Sequence, residues 1–171
     1  YHKPRIDFEL MEQYHEGLVC LSACLAGRVP RMILKGSDAE TEQTILKYKK
    51  LFQEDYYLEI QNHGIREEEI VAQGLVRMSR KLGIKLVCTN DCHYVNSDDS
   101  KAHEWLVCMQ TKKKLSDDDR MRYYGDYSVK TEAEMRSLFP SLPEAFDNTA
   151  EVADKCNFDF TFGNYRMPAV P

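Results

Sequence analysis

Apolar residues in the first hundred positions alternate between short continuous runs and stripes of helical spacing. The runs at 18–21, 56–60 and 85–89 are typical of buried strands, and the first is expected to continue to residue 23. The stripes between the runs predict two helices, the first opened by a capping box between Ser37 and Glu40. Their inward-facing residues are Ile45, Tyr48, Leu51 and Phe52 in the first helix and Val71, Leu75, Met78 and Leu82 in the second, which ends at Gly83.

The order strand, helix, strand, helix, strand predicts the fold class. Two successive right-handed β-α-β units place three strands side by side in a parallel sheet, so we expect an α/β fold. Three strands are too few to close a barrel, and we expect further strands from polypeptide upstream of this segment. A short helix capped by Asp7, with Phe8, Met11 and Tyr14 as apolar positions, precedes the first strand.

After residue 97 the pattern becomes mainly helical. A helix is predicted from Ser97, and a second is opened by a capping box of Thr131 with Glu134. A third runs from Pro143 to about Cys156, and residues 157–171 are interpreted as a linker without periodicity. The charged runs 112–114 and 117–119 are interpreted as solvated loop. The predicted apolar positions are Ala102, Trp105, Leu106 and Met109 in the first of these helices and Phe146, Thr149, Val152 and Ala153 in the last.

Composition favours a folded protein and excludes several classes. Of 171 residues, 43% are apolar and 11% aromatic, which is enough for a buried core, and no run approaches a membrane span. We therefore expect a soluble protein without a membrane partner. The formal net charge of −5 means that a basic DNA-binding groove, if there is one, must come from other parts of a larger protein.

Six cysteines are present, and we expect reduced thiols in a cytoplasmic protein. Most lie in apolar runs, and neither the Cys20/Cys24 pair nor the Cys88/Cys92 pair has the two-residue gap of a zinc knuckle. The chain opens on Tyr-His-Lys-Pro and closes on Met-Pro-Ala-Val-Pro, from which we expect a piece of a longer protein.

Polar side chains follow all three predicted strands. In parallel α/β folds, active and binding sites lie at the carboxyl ends of the strands. Asp91 and His93 are two residues apart on extended backbone, so both side chains project to the same side and suit a divalent metal. The alternative is that Asp91 caps the following turn and His93 is an ordinary loop histidine. Cys24 adds a thiolate ligand suited to zinc, or is a buried core thiol. Glu59 and His63 orient the ligands or form strand-end hydrogen bonds. The residues at the three strand ends are Ser22, Cys24 and Gly27; Glu59, Gln61 and His63; and Asn90, Asp91, Cys92 and His93.

Three motifs carry a resemblance to a known family. Residues 17–30 (GLVCLSACLAGRVP), 57–64 (YLEIQNHG) and 89–94 (TNDCHY) resemble, in this order, the bacterial DNA polymerase III alpha subunits, which are replicative C-family polymerases. They are similar to the second half of the N-terminal polymerase and histidinol phosphatase (PHP) domain of that family. The stretches at 102–105, 112–114, 143–149 and 156–158 are similar to the lead-in to its polymerase palm.

The resemblance implies part of a distorted PHP-type (β/α) barrel over 1–97, a helical extension toward the palm over 98–156 and a linker over 157–171. It implies that Cys24, Asp91 and His93 belong to a cluster of up to nine ligands for a divalent metal (Zn, Mn or Mg). The early ligands and the palm aspartates, which use Mg, have no counterpart here. We therefore expect no nucleotide-transfer residue in this chain.

In function, the resemblance implies DNA-templated DNA synthesis in chromosome replication, with DNA and deoxynucleoside triphosphates as substrates. A sliding clamp and an exonuclease subunit are the implied partners. The PHP domain is then either a 3′–5′ exonuclease or a structural docking module. The alternative, a free-standing PHP phosphoesterase, has no need of the helical extension. We expect the chain alone to be inactive and to self-associate through its exposed sheet edge.

Overall fold

A computed structural model of the chain describes residues 5–165 and 167. Its elements are α1 (Phe8–Tyr14), β1 (Cys20–Leu21), α2 (Arg28–Leu34), α3 (Asp38–Phe52), β2 (Tyr56–Ile60), α4 (Arg66–Leu82), β3 (Leu86–Cys88), α5 (Ser100–Thr111), α6 (Glu132–Leu138) and α7 (Pro143–Lys155). Single 3-10 turns lie at Gln53–Asp55 and Ser97–Asp99. No helix within the described residues is long and apolar enough to cross a membrane.

The three strands form a parallel sheet in the order β1-β2-β3, which confirms the predicted α/β architecture. Cys20 pairs with Tyr56, and Leu58 pairs with Leu86. The prediction that the first strand spans 18–23 is wrong, because β1 has only two residues. Its ladder ends where Ala23 adopts a left-handed φ of +67°, which turns the backbone away from β2.

The helix boundaries follow local signals with one exception. The Asp7 side chain accepts a 2.9 Å hydrogen bond from the Leu10 amide, and Thr131 with Glu134 forms the predicted capping box. The predicted capping box at Ser37 is absent. Ser37 has ψ of 64°, not the extended backbone that directs a capping side chain toward the helix, and only its carbonyl bonds the first turn, accepting from Thr41.

One apolar core joins the sheet to helices from both halves of the chain. β2 is its centre, with Tyr57 and Leu58 fully buried; α3 and α4 pack against it, and α2 packs on those two helices. α7 packs against β3 and inserts Ala145, which is also fully buried. The core residues contributed after position 97 are Met135, Phe139, Leu142 and Ala145.

The helices after residue 97 bury different residues from those predicted. In α5, Val107 and Cys108 are buried while the predicted apolar positions Trp105, Leu106 and Met109 are exposed. In α7, Phe146, Thr149 and Val152 are half-buried and Ala153 is exposed, while Ala145 is the buried residue of the helix. The predicted linker is irregular over 156–161, with Phe158 and Phe160 exposed, and its last residues lie outside the described ones.

Candidate functional site

The carboxyl ends of the three parallel strands meet at one edge of the sheet, where their polar side chains are linked. The Ser22 amide continues the β1 ladder by donating to the Tyr57 carbonyl at 3.1 Å. The Ser22 hydroxyl then accepts from the Glu59 amide at 2.8 Å. The loop after β1 is thereby fixed against β2.

The Glu59 carboxylate joins all three strand ends. Its Oε2 accepts from the Ala23 amide at 3.1 Å, and its Oε1 accepts from the Thr89 hydroxyl at 2.5 Å. Gln61 donates to the same Thr89 hydroxyl at 3.1 Å. Glu59 is therefore a strand-end hydrogen-bond former, one of the two roles considered for it, and it holds the left-handed Ala23 in place.

Asp91 and His93 are brought together beyond the end of β3. Asp91 Oδ2 lies 3.3 Å from His93 Nε2, and both side chains retain access to solvent at 48% and 27% exposure. The i, i+2 spacing thus places a carboxylate and an imidazole on one side of the loop. These two groups can share one divalent cation.

Cys24 lies in the loop after β1, and its exposure excludes the alternative of a buried core thiol. The loop closes through the Gly27 amide, which donates to the Cys24 carbonyl at 2.7 Å. Gly27 is needed there because a Cβ would lie 2.6 Å from the Ser22 carbonyl oxygen. Cys24 shares a narrow cleft with Glu59 and Glu68. Its loop follows β1, the loop with Asp91 and His93 follows β3, and β2 lies between these two strands.

His63, after β2, is buried and fully hydrogen-bonded. Its Nδ1 lies 2.7 Å from Glu68 Oε1, and its backbone amide donates to Glu68 Oε2 at 2.6 Å. Its Nε2 accepts from the Asp91 amide at 3.2 Å. Glu68 lies in the first turn of α4, where the helix dipole favours a carboxylate.

A segment of four residues, 125–128, crosses the strand ends; we refer to it as the bridging segment. Its Tyr127 carbonyl accepts from the His93 amide at 2.9 Å, and its Ser128 carbonyl accepts from the Asn90 side chain at 2.8 Å. The Tyr94 hydroxyl accepts from the Tyr127 amide. The loop that carries Asp91 and His93 is thus held by polypeptide well beyond residue 97.

Aromatic rings surround His93. The rings of Tyr123, His103 and Tyr127 lie with centroids 4.6, 5.3 and 5.4 Å from it. Partial burial lowers the pKa of His103, and the neighbouring His93 lowers it further. Neutral imidazole is the form that binds metal.

The donors present fit part of a metal site. A carboxylate and an imidazole 3.3 Å apart are ligands that Zn and Mn accept, and their exposure admits an ion. Within residues 5–165, no group of three or more His, Cys, Asp or Glu side chains is arranged to hold a metal ion. The ligand set of Cys24, Asp91 and His93 stays a prediction, with the last two supplying two donors that need others to complete a site.

Two features of the site, Glu68 and the bridging segment, were not predicted from the sequence. Glu68 continues the buried stripe of α4 one step before Val71, and a carboxylate on an apolar face is a signal that could have revealed it. The only sequence signal for the bridging segment is that residues 127–129 have the pattern of extended backbone. Its partners lie more than thirty positions away, so local pattern could not find them.

Comparison with known proteins matches residues 1–63 to the PHP domain. The chain is 44% identical over 170 residues to DNA polymerase III subunit alpha of Borreliella burgdorferi, covering 98% of this chain and 15% of that protein. It is 45% identical over 159 residues to the Treponema pallidum protein of the same name, covering 92% and 14%. With the Thermus aquaticus protein it shares 40% over 178 residues, covering 100% and 15%. The chain therefore spans about a seventh of the length of these relatives.

Proposed function

The chain belongs to the family of bacterial DNA polymerase III alpha subunits, matching one segment of their length, and from this we propose that the whole protein is a DNA-directed DNA polymerase. Similarity to that family runs through the chain on both sides of residue 97. This continuity supports a polymerase segment over a free-standing PHP phosphoesterase.

The proposed activity is template-directed DNA synthesis in chromosome replication, in the cytoplasm. Its substrates are DNA and deoxynucleoside triphosphates, and its proposed partners are a sliding clamp and an exonuclease subunit. We assign the nucleotide-transfer residues and their Mg ions to a palm domain outside this chain. The segment described here contributes no residue to that reaction.

The segment's own proposed role is metal binding in the PHP domain. The observation that carries this role is the 3.3 Å approach of Asp91 Oδ2 to His93 Nε2 at the carboxyl end of the sheet. Cys24 is the third proposed ligand, and residues outside this chain complete the set. A bound divalent ion in such a site stabilises the domain, or activates water for phosphoester hydrolysis in 3′–5′ proofreading.

Thiol protection in the full-length protein, which holds the complete proposed ligand set, tests the metal role. With Zn²⁺ present, alkylation of Cys24 should slow several-fold, because a metal-bound thiolate is a poor nucleophile toward the reagent. The exposed Cys156 is the internal control. Replacing both Asp91 and His93 with Ala should remove the protection, whereas His15→Ala should preserve it. Equal Cys24 rates with and without Zn²⁺ would refute the ligand assignment.

The full-length protein separates the hydrolytic role from the structural one. Asp91→Asn should lower metal content in either case. If the domain proofreads, the variant loses 3′–5′ exonuclease activity and keeps polymerase activity. If the domain is structural, wild-type protein has no exonuclease activity, and the variant has a lower Tm.

A further inference from the structure

We propose that His63, held by Glu68, is a positioning residue that fixes both the Asp91–His93 loop and the bridging segment above it. The inference deepens the proposed metal-binding function and rests on it. His63 is 4% exposed and Glu68 is 6% exposed, so the pair is removed from solvent and is not itself a surface ligand.

The hydrogen bonds of His63 define its tautomer. The Asp91 amide can only donate, so Nε2 must carry a free lone pair. The proton then lies on Nδ1 and is donated to Glu68 Oε1 at 2.7 Å. Because Nε2 is occupied by the Asp91 amide, the ring orients the loop and does not bind metal in this arrangement.

Glu68 fixes the ring from two sides. One carboxylate oxygen accepts from the His63 ring and the other from the His63 backbone amide at 2.6 Å, so the residue and its side chain are held by a single group. The carboxylate is itself anchored in α4, whose apolar face is part of the core. The position of Asp91 is therefore set by a rigid helix and not by a flexible loop.

His63 also holds the bridging segment. Its ring stacks on Tyr127 with centroids 4.3 Å apart and planes 12° from parallel. Its carbonyl accepts from the Asp126 amide at 3.2 Å, and a Cβ on Gly125 would lie 2.2 Å from that carbonyl oxygen. The Tyr127 carbonyl accepts from the His93 amide, so the bridging segment holds the Asp91–His93 loop, and His63 contacts both of them.

Two matched substitutions separate the contacts of the ring. In His63→Gln, the side-chain amide oxygen reaches the place of Nε2 and can still accept from the Asp91 amide. In His63→Asn, the side-chain NH₂ takes the place of Nδ1 and can still donate to Glu68. Both variants lose the stack on Tyr127 and each keeps one of the two ring hydrogen bonds, so the comparison shows whether the Asp91 contact or the Glu68 contact sustains metal binding.

The experiment records ¹⁵N NMR spectra of the 171-residue chain with and without a large excess of Mn²⁺, because two donors without the rest of the proposed ligand set hold the ion weakly. In the wild type, the His63 ring should show a protonated Nδ1, and Mn²⁺ should broaden the Asp91 and His93 signals. We expect His63→Asn to weaken Mn²⁺ binding about tenfold relative to His63→Gln. The Asp91 amide shift should move further in the Asn variant than in the Gln variant.

The outcomes distinguish the two proposals. If Mn²⁺ leaves the Asp91 and His93 signals of wild-type chain unchanged, the proposed metal site is wrong. If the wild type binds Mn²⁺ and both variants bind it as tightly as the wild type does, His63 is not a positioning residue. If the Gln variant is impaired as much as the Asn variant, the contact to Asp91 is not the cause, and the inference is overturned.

Discussion

The Tyr57 hydroxyl in β2 donates a 2.8 Å hydrogen bond to Glu151 Oε1 in α7, across 94 positions of sequence. The other oxygen of Glu151 accepts from Lys85 Nζ at 2.6 Å. Lys155 Nζ lies 3.6 Å from Glu151 and 2.8 Å from Asp55. A small polar network therefore attaches the last helix to the sheet, beside the apolar contact of α7 with β3.

Tyr57→Phe tests this attachment. The ring is fully buried and keeps its packing, so the variant loses the hydrogen bond alone. Because the acceptor is a carboxylate, we expect the free energy of unfolding to fall by about 1–2 kcal/mol. Urea denaturation measures the loss, and Tyr14→Phe, at a site 70% exposed, should have no effect. Equal stability of Tyr57→Phe and wild type would show that the bond contributes nothing.

Glu151 also makes stability depend on pH. Its hydrogen bond from Lys85, and then that from Tyr57, lower its pKa in the folded protein. The stabilisation is present above the unfolded-state pKa and is lost as the pH falls through the lower folded-state value. Unfolding free energy should therefore decline from about pH 5 downward. Glu151→Gln should flatten this decline, whereas Glu144→Gln, on the exposed side of the same helix, should not.

The elements predicted well are those whose buried face and ends are determined by the residues within the element itself. β2 has the predicted bounds, and α4 buries Val71, Leu75 and Met78 and ends at Gly83, whose φ of +62° suits glycine. In each, the apolar spacing and the stop signal lie within one segment. Tertiary context adds little to such positions.

The features that sequence missed depend on contacts between distant segments. β1 is shortened by the turn at Ala23, which Glu59 stabilises from 36 positions away. The pairing of Asp91 with His93 followed from the two-residue period of extended backbone. The arrangement of His63 and the bridging segment around that pair requires the folded topology, which no local period encodes.

Gly125→Ala should disrupt the bridging segment. Gly125 has φ of +116°, and a Cβ would meet the His63 carbonyl oxygen at 2.2 Å, so both strain and a clash are introduced. We expect a loss of about 1–3 kcal/mol in unfolding free energy. Gly83→Ala is the matched control, since its φ is also positive but no atom lies within 4 Å of the added Cβ. A loss no larger than that of the control would show that the His63 contact is unimportant.

The six thiols should separate into two groups by reactivity. Burial raises the pKa of Cys20 to about 11 and also raises that of Cys88, so both remain protonated and unreactive at pH 8. Cys108 is buried, whereas Cys24, Cys92 and Cys156 are exposed. Alkylation followed by peptide mass spectrometry should label the exposed three first. Early labelling of Cys20 or Cys88 would contradict the packing around β1 and β3.

Glu59→Gln should loosen the loop that carries Cys24. The carboxylate accepts from the Ala23 amide and the Thr89 hydroxyl through different oxygens, and an amide can offer an oxygen to only one of them. If the oxygen stays toward Thr89, the Ala23 amide faces an NH₂ group, which should cost about 1–3 kcal/mol of unfolding free energy. If the oxygen turns toward Ala23, the NH₂ group can donate to the Thr89 hydroxyl, which also accepts, and the cost is smaller.

A double-mutant cycle of Glu59→Gln with Thr89→Val identifies which bond is lost. If the amide keeps its oxygen toward Thr89, the two substitutions couple, and hydrogen exchange at the Ala23 amide accelerates. If the oxygen turns toward Ala23, the NH₂ group donates to the Thr89 hydroxyl instead, the coupling is weaker, and Ala23 exchange stays slow. Unchanged stability together with slow Ala23 exchange in Glu59→Ala, which removes both oxygens, would contradict a role for this carboxylate in joining the strand ends, because its acceptance of both donors is what links the first and third strands.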